Sequence, residues 1–257
     1  MDTPQTSNPT VSAPRIERVR HELKRRSLTV AAVRKITPGM LRIELTGDDL
    51  ADFLSLAPDD HIKVFVPGSG EEMERRDYTP RRYDTDARTL VLDFALHEAG
   101  PVTRWALGAR PGDQLEIGGP RGSAIVSNDI ENWLLIGDET ALPAIGRRIE
   151  EARTGARVTA IIAVAGAGEH QSFQTDAQLD IRWSHRPLSE ATDPSGLMRL
   201  LYAVDVLPGT FVWIAAEASV TRALRSYLVE ERGHPLSWVK ASGYWVKGKA
   251  DTTEKFD

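Results

Sequence analysis

The spacing of apolar residues changes near Ser127, and this change limits the folds that the chain can adopt. Before it, nearly alternating apolar runs such as LTVAAVRKI, MLRIELTG and RTLVLDFALH are bounded by Gly, Pro and Asp, which predicts antiparallel strands. After it, compact apolar strands alternate with helix-length segments, which predicts a parallel sheet covered on both faces. We therefore expect an antiparallel β-barrel followed by a parallel-sheet α/β unit.

This boundary divides the chain into three predicted parts. Residues 1–14 are rich in Thr, Ser, Pro, Asn and Gln, and we expect them to form a mobile tail. Residues 15–127 form the predicted barrel domain, which starts with a basic segment, residues 15–26, predicted to be a solvated helix. Residues 128–257 form the predicted α/β domain, whose ligands would bind beyond the carboxyl ends of its parallel strands.

Composition and charge exclude several classes of protein. The chain has no cysteine, which excludes disulfides, thiolate catalysis and cysteine-ligated iron–sulfur clusters. A net charge of -5 with interspersed signs argues against a nucleic-acid partner. The polar N-terminus does not resemble a signal peptide, and no apolar run reaches the length of a membrane span. We therefore expect a cytoplasmic protein without a membrane partner.

The densest polar segment is ERRDYTPRRYD, residues 74–84, for which an exposed charged loop is the simplest interpretation. On an extended backbone, however, Arg76 and Tyr78 face the same side and Thr79 follows directly. These side chains would offer a phosphate ligand, a flat stacking surface and a small hydroxyl to one ligand.

A second segment, GDETALPAI at residues 137–145, follows a predicted strand and begins a predicted helix that has an early proline. Free backbone N–H groups at such a helix start can hold phosphate. The segment nevertheless departs from the G-x-G-x-x-G fingerprint of dinucleotide-binding folds.

Arg-x-Tyr-Thr followed by Pro-Arg resembles the flavin signature of the ferredoxin–NADP reductase superfamily, in particular its siderophore-interacting branch, the ferric siderophore reductases. Further segments agree with this resemblance in order along the chain: LVLDFALHEAGPVTRWA, PGDQLEIGGPRGS, GDETALPAI and ASGYWVKGKAD. The resemblance extends from about residue 28 to residue 249.

The resemblance implies FAD and either NADPH or NADH as cofactors, with FAD in the barrel domain. In that family the arginine binds the FAD pyrophosphate, the tyrosine stacks on the isoalloxazine and the hydroxyl approaches flavin N5, roles that fall on Arg76, Tyr78 and Thr79. The other residues that it implies around FAD are Asp93, His97, Gly100, Pro101, Val102 and Thr103. Those that it implies near the nicotinamide or the flavin are Asp138, Glu139, Thr140, Ala141, Glu217, Tyr244 and Trp245.

The implied reaction is hydride transfer from NAD(P)H to the flavin, followed by one-electron reduction of siderophore-bound iron(III) and release of iron(II). The flavin carries this chemistry, so neither a catalytic side chain nor a resident metal is expected. Because many ferric siderophores are anionic, Lys63, Arg121 and Lys247 are candidate substrate-binding residues, with scattered solvated cations as the alternative. We expect a monomer.

Two other functions stay open at this point: a general NAD(P)H–flavin reductase with another electron acceptor, and a non-catalytic flavoprotein that binds ferric siderophores. The preferred nicotinamide is also open. Glu169 would favour NADH by bonding a ribose diol, whereas Arg182, His185 and Arg186 would favour NADPH by binding a 2′-phosphate.

Overall fold

A computed structural model of the protein describes residues 13–68, 72–96, 100–249 and 251–256. Most of the predicted tail, residues 1–12, lies outside the described residues. The strands are β1 Ile16–Arg20, β2 Arg25–Thr37, β3 Met40–Thr46, β4 Ile62–Pro67, β5 Met73–Tyr78, β6 Pro80–Asp84, β7 Thr89–Ala95, β8 Gln114–Gly118, β9 Gly122–Val126, β10 Asn132–Gly137, β11 Arg157–Val164, β12 Gln178–His185, β13 Thr210–Glu217, β14 Val239–Trp245 and β15 Glu254–Phe256. The α-helices are α1 Pro101–Gly108, α2 Leu142–Glu150, α3 Ser195–Tyr202 and α4 Ala218–Ser226.

The N-terminal half is an antiparallel sheet of seven strands in the order β5-β4-β8-β2-β3-β7-β6. Its inner face buries alternate residues; in β4, for example, Ile62, Val64 and Val66 are fully buried and the residues between them face outward. The two edge strands, β5 and β6, are consecutive in the chain and only Thr79 separates them. The sheet therefore forms a barrel that stays open along the β5–β6 corner.

The C-terminal half is a six-stranded sheet in the order β12-β11-β10-β13-β14-β15, in which β15 alone runs antiparallel to its neighbour. Strand β13 is buried along its whole length because α3 and α4 cover one face while α2 and the barrel cover the other. The predicted fold class, a barrel followed by a parallel α/β unit, is confirmed. Among the described residues, no helix has the length and apolar character needed to cross a membrane.

The prediction of a helix in residues 15–26 is wrong. Its apolar residues Ile16, Val19 and Leu23 have helical spacing, but the backbone of β1 instead pairs with the edge of β9, from Ile16 opposite Val126 to Arg20 opposite Gly122. The hydrogen bonds to this edge are non-local, so the local spacing gave no sign of them. The C-terminal Gly-Tyr-Trp segment belongs to a regular strand, β14.

Helix α2 fixes the barrel against the α/β sheet. Arg147 is buried in this helix, and it donates hydrogen bonds to Ser55 Oγ at 2.8 Å, to the Ser55 carbonyl at 2.7 Å and to the Pro80 carbonyl at 3.1 Å. One turn further on, Glu150 accepts two hydrogen bonds of 2.7 Å from the buried Arg81 of β6. Both contacts join α2 to the edge of the open barrel.

A second contact between the halves is formed by Asp59, in the loop before β4. Its carboxylate accepts a hydrogen bond of 3.1 Å from the indole nitrogen of Trp213, and Lys240 lies 2.6 Å away. Burial acts to raise the pKa of Asp59, but the Lys240 ammonium and these hydrogen bonds hold it below its usual value. Asp59 is therefore an ionised partner of the α/β sheet.

Replacing Arg147 tests the α2 contact. Arg147→Ala leaves buried carbonyl groups of the barrel without a donor, so we expect the free energy of unfolding to fall by about 3 kcal/mol. Arg153→Ala is the control, because Arg153 forms an exposed ion pair with Glu131 and its loss should cost about 0.5 kcal/mol or less. Urea denaturation of both variants measures the difference; equal losses would contradict the contact's importance.

Candidate functional site

The β5–β6 corner carries the first group of predicted site residues. Arg76 and Tyr78 leave the same face of β5, as predicted, and Thr79 is buried immediately after them. The Tyr78 ring packs against Phe94 with 4.4 Å between centroids, and burial raises the pKa of its phenol, which keeps it neutral. The Arg76 guanidinium lies 3.1 Å from the Glu74 carboxylate. The corner thus offers a cation, a flat ring and a hydroxyl.

Helix α1 packs against β4 and β5, the second of which carries Arg76 and Tyr78. Gly100 precedes its first residue, Pro101, and among the described residues no side chain caps the N–H groups of its first turn. A methyl group added at Gly100 would meet none of the described atoms within 4 Å. Val102 and Thr103 are buried in this turn. An uncapped helix start near an arginine is suited to a pyrophosphate group.

Asp93 has a different environment from the one predicted. Its carboxylate is buried between two arginines, with two hydrogen bonds of 2.7 Å from Arg42 and an approach of 3.8 Å from Arg81. Its observed role is to hold β7 to β3 and β6, and a contact with flavin stays a prediction. His97 lies outside the described residues.

The Asp138 carboxylate joins the carboxyl ends of three parallel strands. One oxygen accepts hydrogen bonds from the Thr140 N–H at 2.9 Å and its hydroxyl at 2.5 Å. The other accepts from the Glu217 N–H at 3.0 Å and from the indole nitrogen of Trp245 at 2.9 Å. Ala141 closes the same turn by donating to the Asp138 carbonyl at 3.0 Å. Asp138 therefore positions the Trp245 ring and has no need of a ligand.

Glu217 performs a similar task one strand away. It caps α4, accepting from the N–H groups of Ser219 at 2.7 Å and Val220 at 3.4 Å, and its other oxygen accepts from the Lys247 N–H at 3.2 Å. Burial acts to raise the pKa of Glu217, but these hydrogen bonds lower it further than burial raises it. Ionised Glu217 therefore ties the C-terminal segment to the sheet.

Glu139 and Arg186 form a largely buried ion pair, 3.1 Å apart, beyond the ends of β10 and β12. Burial, together with the neighbouring Asp138 carboxylate, raises the pKa of Glu139 to about 7 even though the Arg186 guanidinium opposes the shift. Arg186 Nη1 is buried without a hydrogen-bond partner. The pair thus has an unused donor and an acid that titrates near neutral pH.

The aromatic pair of β14 lies where the two halves meet. Tyr244 packs edge-on against Trp213 with 6.0 Å between centroids. Burial, and the field of Asp59 and Asp77 from the barrel among other carboxylates, raise its pKa well above its usual value. Asp77 directly precedes Tyr78, so Tyr244 and the β5–β6 corner share one region. Both aromatic residues of β14 are half-buried.

The predicted substrate-binding cations have separate partners. Lys63 lies 3.0 Å from Asp77 and 3.1 Å from Asp251. Lys247 belongs to the same β14–β15 connection as Asp251, but its ammonium donates to the Ser189 carbonyl at 2.5 Å, so a shared site with Lys63 stays a prediction. Arg121 is exposed after β8, and no ion pair among the described residues joins it to these residues.

The residues considered for the choice of nicotinamide are mostly engaged in other contacts. The Glu169 carboxylate accepts from the Thr37 hydroxyl at 2.5 Å and from the Gly39 N–H at 3.0 Å, which ties the α/β domain to the barrel. Arg182 and His185 each bond to a neighbouring side chain. One oxygen of Glu169, Oε2, is therefore already committed to the barrel.

Sequence reasoning missed the residues that hold the corner in place, namely Arg81, Arg147 and Asp59. The one available signal was that Arg81 belongs to the dense polar segment, residues 74–84. Arg147 and Asp59 have partners distant in the sequence, which local patterns do not reveal.

Family models match nearly the whole chain. The siderophore-interacting protein model matches residues 130–248, and the siderophore-interacting FAD-binding domain model matches residues 29–75 and 69–124. The NADPH-dependent ferric-chelate reductase of Escherichia coli strain K12 is 33% identical over 250 residues, covering 89% of this chain and 96% of that protein.

Solved structures agree with these matches. A siderophore utilization protein from T. fusca superposes with a TM-score of 0.85 at 36% identity, covering 93% of this chain and 98% of that structure. The siderophore-interacting protein SipS from Aeromonas hydrophila gives a TM-score of 0.75 at 26% identity, covering 90% and 93%. The family resemblance drawn from the sequence is confirmed, and the chain belongs to the siderophore-interacting protein family.

Proposed function

We propose that the protein is an FAD-dependent NAD(P)H:ferric-siderophore oxidoreductase that acts in the cytoplasm. The observation that carries the proposal is the β5–β6 corner, where Arg76, Tyr78 and Thr79 follow one another and α1 packs against the same strand, β5. The match to a siderophore-interacting FAD-binding domain and the named activity of the Escherichia coli relative support it.

The residues at the corner fit FAD. Arg76 and the free N–H groups of Val102 and Thr103 provide the donors that a pyrophosphate requires, and a methyl group added at Gly100 would meet none of the described atoms within 4 Å. The neutral Tyr78 ring provides an apolar surface suited to a flavin ring.

When bound, FAD supplies the capacity to accept a hydride from NAD(P)H and to deliver electrons singly to iron(III). The chain's own residues bind, orient and exclude water. The carboxylates of Asp138 and Glu217 accept hydrogen bonds from groups of the chain itself. We therefore assign them to positioning Trp245 and Lys247 and not to proton transfer. Reduction serves release, because the hard oxygen ligands of siderophores hold iron(III) more tightly than iron(II).

We propose NADPH as the preferred reductant. Glu169, which would have favoured NADH, is bonded to Thr37 and Gly39, whereas Arg186 Nη1 is a buried donor without a partner. In this proposal Arg186 receives the 2′-phosphate that distinguishes NADPH from NADH, and Glu139 is its counter-ion until the dinucleotide binds.

Arg76→Ala tests the FAD site. Loss of a charge-assisted hydrogen bond to the pyrophosphate should raise the Kd for FAD about 30-fold. Arg82→Ala is a matched control from the same segment, because the Arg82 side chain is 69% exposed. Fluorescence titration of the apoprotein with FAD measures both; equal affinities of the two variants would contradict the assigned role of Arg76.

Glu139→Gln tests the counter-ion of Arg186. Below its pKa of about 7, Glu139 is protonated and gives up the ion pair; above it, the carboxylate competes with the ligand for Arg186. We therefore expect wild type and variant to bind NADP+ similarly near pH 6 and to differ about tenfold near pH 8, with the variant tighter. The 2′-phosphate titrates in both proteins, so the difference isolates Glu139. Identical pH profiles would exclude the proposed competition.

The proposed reaction is tested anaerobically. The FAD-loaded protein is reduced with NADPH or NADH, and the flavin absorbance is followed after a ferric siderophore is added. Prompt reoxidation with capture of iron(II) by a chelator is the expected result, with faster reduction by NADPH. A flavin that is reduced but stays reduced would indicate another acceptor, and failure to bind FAD would overturn the proposal.

A further inference from the structure

A single carboxylate from the C-terminal connection contacts two cations on the outside of the barrel. Asp251 lies between β14 and β15, and its oxygens are 3.1 Å from Lys63 Nζ and 3.5 Å from Arg75 Nε. Lys63 and Arg75 belong to the paired strands β4 and β5, on the face opposite the barrel core. Asp251 therefore joins the last segment of the chain to the outer face of the barrel.

The charges at this place cancel. Lys63 and Arg75 contribute two positive charges, and Asp77 and Asp251 two negative ones, because Asp77 lies 3.0 Å from Lys63. An anionic substrate that binds Lys63 consequently meets a lysine that already has two internal partners. The Lys63 ammonium has a third donor, but the two carboxylates beside it repel an anion, and the departure of either one removes part of that repulsion.

Asp251 is the partner suited to leave. Asp77 is held in the ladder of β5, opposite Lys63. Asp251 instead lies in the connection between β14 and β15, outside any strand ladder, and its φ of 47° is typical of a turn residue. Both ends of the connection have their own anchors, namely the Lys247 N–H on Glu217 and the ion pair of Glu254 with Arg222. Release of Asp251 therefore need not detach the C-terminal strands.

We propose that Asp251 is an internal competitor for the substrate, occupying Lys63 and Arg75 in the free enzyme and giving way to a negatively charged ferric chelate. This inference rests on the proposed function, since it takes Lys63 as a substrate-binding residue. Asp251 then determines selectivity by charge. An anionic chelate replaces the lost ion pairs with its own, whereas a neutral chelate does not and leaves Asp251 in place.

The test uses redox-inert gallium(III) complexes, so that binding is measured without turnover. Isothermal titration calorimetry of the oxidised FAD-loaded protein is carried out with a trianionic tris-catecholate complex and with a neutral trihydroxamate complex. We expect Asp251→Asn to bind the trianionic complex about fivefold more tightly than wild type, as the loss of weak competing ion pairs predicts, and the neutral complex unchanged. The gain should shrink at high ionic strength, because the substituted charges are partly exposed.

Two further variants test whether the gain in affinity depends specifically on Asp251 and Lys63. Glu254→Gln removes one negative charge from the same C-terminal segment but frees Arg222 of α4, so its affinity for both complexes should equal that of wild type. In an Asp251→Asn background, Lys63→Gln should abolish the gain, since the lysine is the group that Asp251 releases. Equal FAD content in all variants shows that they are folded.

The outcomes separate the inference from the proposed function. If wild type and Asp251→Asn bind the trianionic complex equally well, or Glu254→Gln gives the same gain, the inference is overturned and the proposed function stands. If neither gallium complex binds any of these proteins, the proposed function is overturned and the inference with it.

Discussion

Arg147 belongs to α2, in the α/β half, yet three of its hydrogen bonds are made to the barrel. One acceptor is the Pro80 carbonyl, directly after Thr79, so this contact also fixes the position of the β5–β6 corner. The charge of Arg147 is paired with Glu151 at the end of its own helix, 2.6 Å away, so what the barrel supplies is acceptors for the remaining N–H groups, and buried groups left without a partner are costly. The orientation of the two halves is therefore specified by a few polar groups as well as by apolar packing.

The same helix relates the two predicted cofactor sites. Helix α2 starts just after the Asp138–Thr140 turn at the carboxyl end of β10, and its later residues Arg147 and Glu150 hold the barrel edge. Its nine residues span roughly 13 Å, so a rigid element sets the separation between the turn and the corner. Asp138, which precedes this helix, also fixes the end of β14, because it accepts a hydrogen bond from the indole of Trp245. The proposed hydride transfer requires close and constant placement of two rings, which this rigid connection favours.

The sequence was informative wherever structure depends on local pattern. Alternation and apolar runs predicted most strands, and the early proline predicted the start of α2. The helix expected in residues 15–26 failed because β9 supplies a pairing edge that no local pattern encodes. Strand alternation correctly placed Arg76 and Tyr78 on one face. It could not show that Asp93 is enclosed by arginines, because those arginines lie on other strands. Pairings between distant residues were predicted only where a family motif carried them.

The cations assigned to ligands each have an internal carboxylate as partner: Arg76 has Glu74, Arg186 has Glu139, and Lys63 has Asp77 and Asp251. In the proposed function, ligand binding at these places exchanges one counter-ion for another, so affinity reflects a difference between two ion pairs. Such a site remains neutral and well hydrogen-bonded when empty, which limits the cost of its burial. It also makes the choice of ligand depend on how firmly each carboxylate is held. Glu74 is fixed in a strand and Glu139 lies two residues after the end of one, whereas Asp251 lies in a connection, so we expect selectivity to be most readily changed on the proposed substrate side.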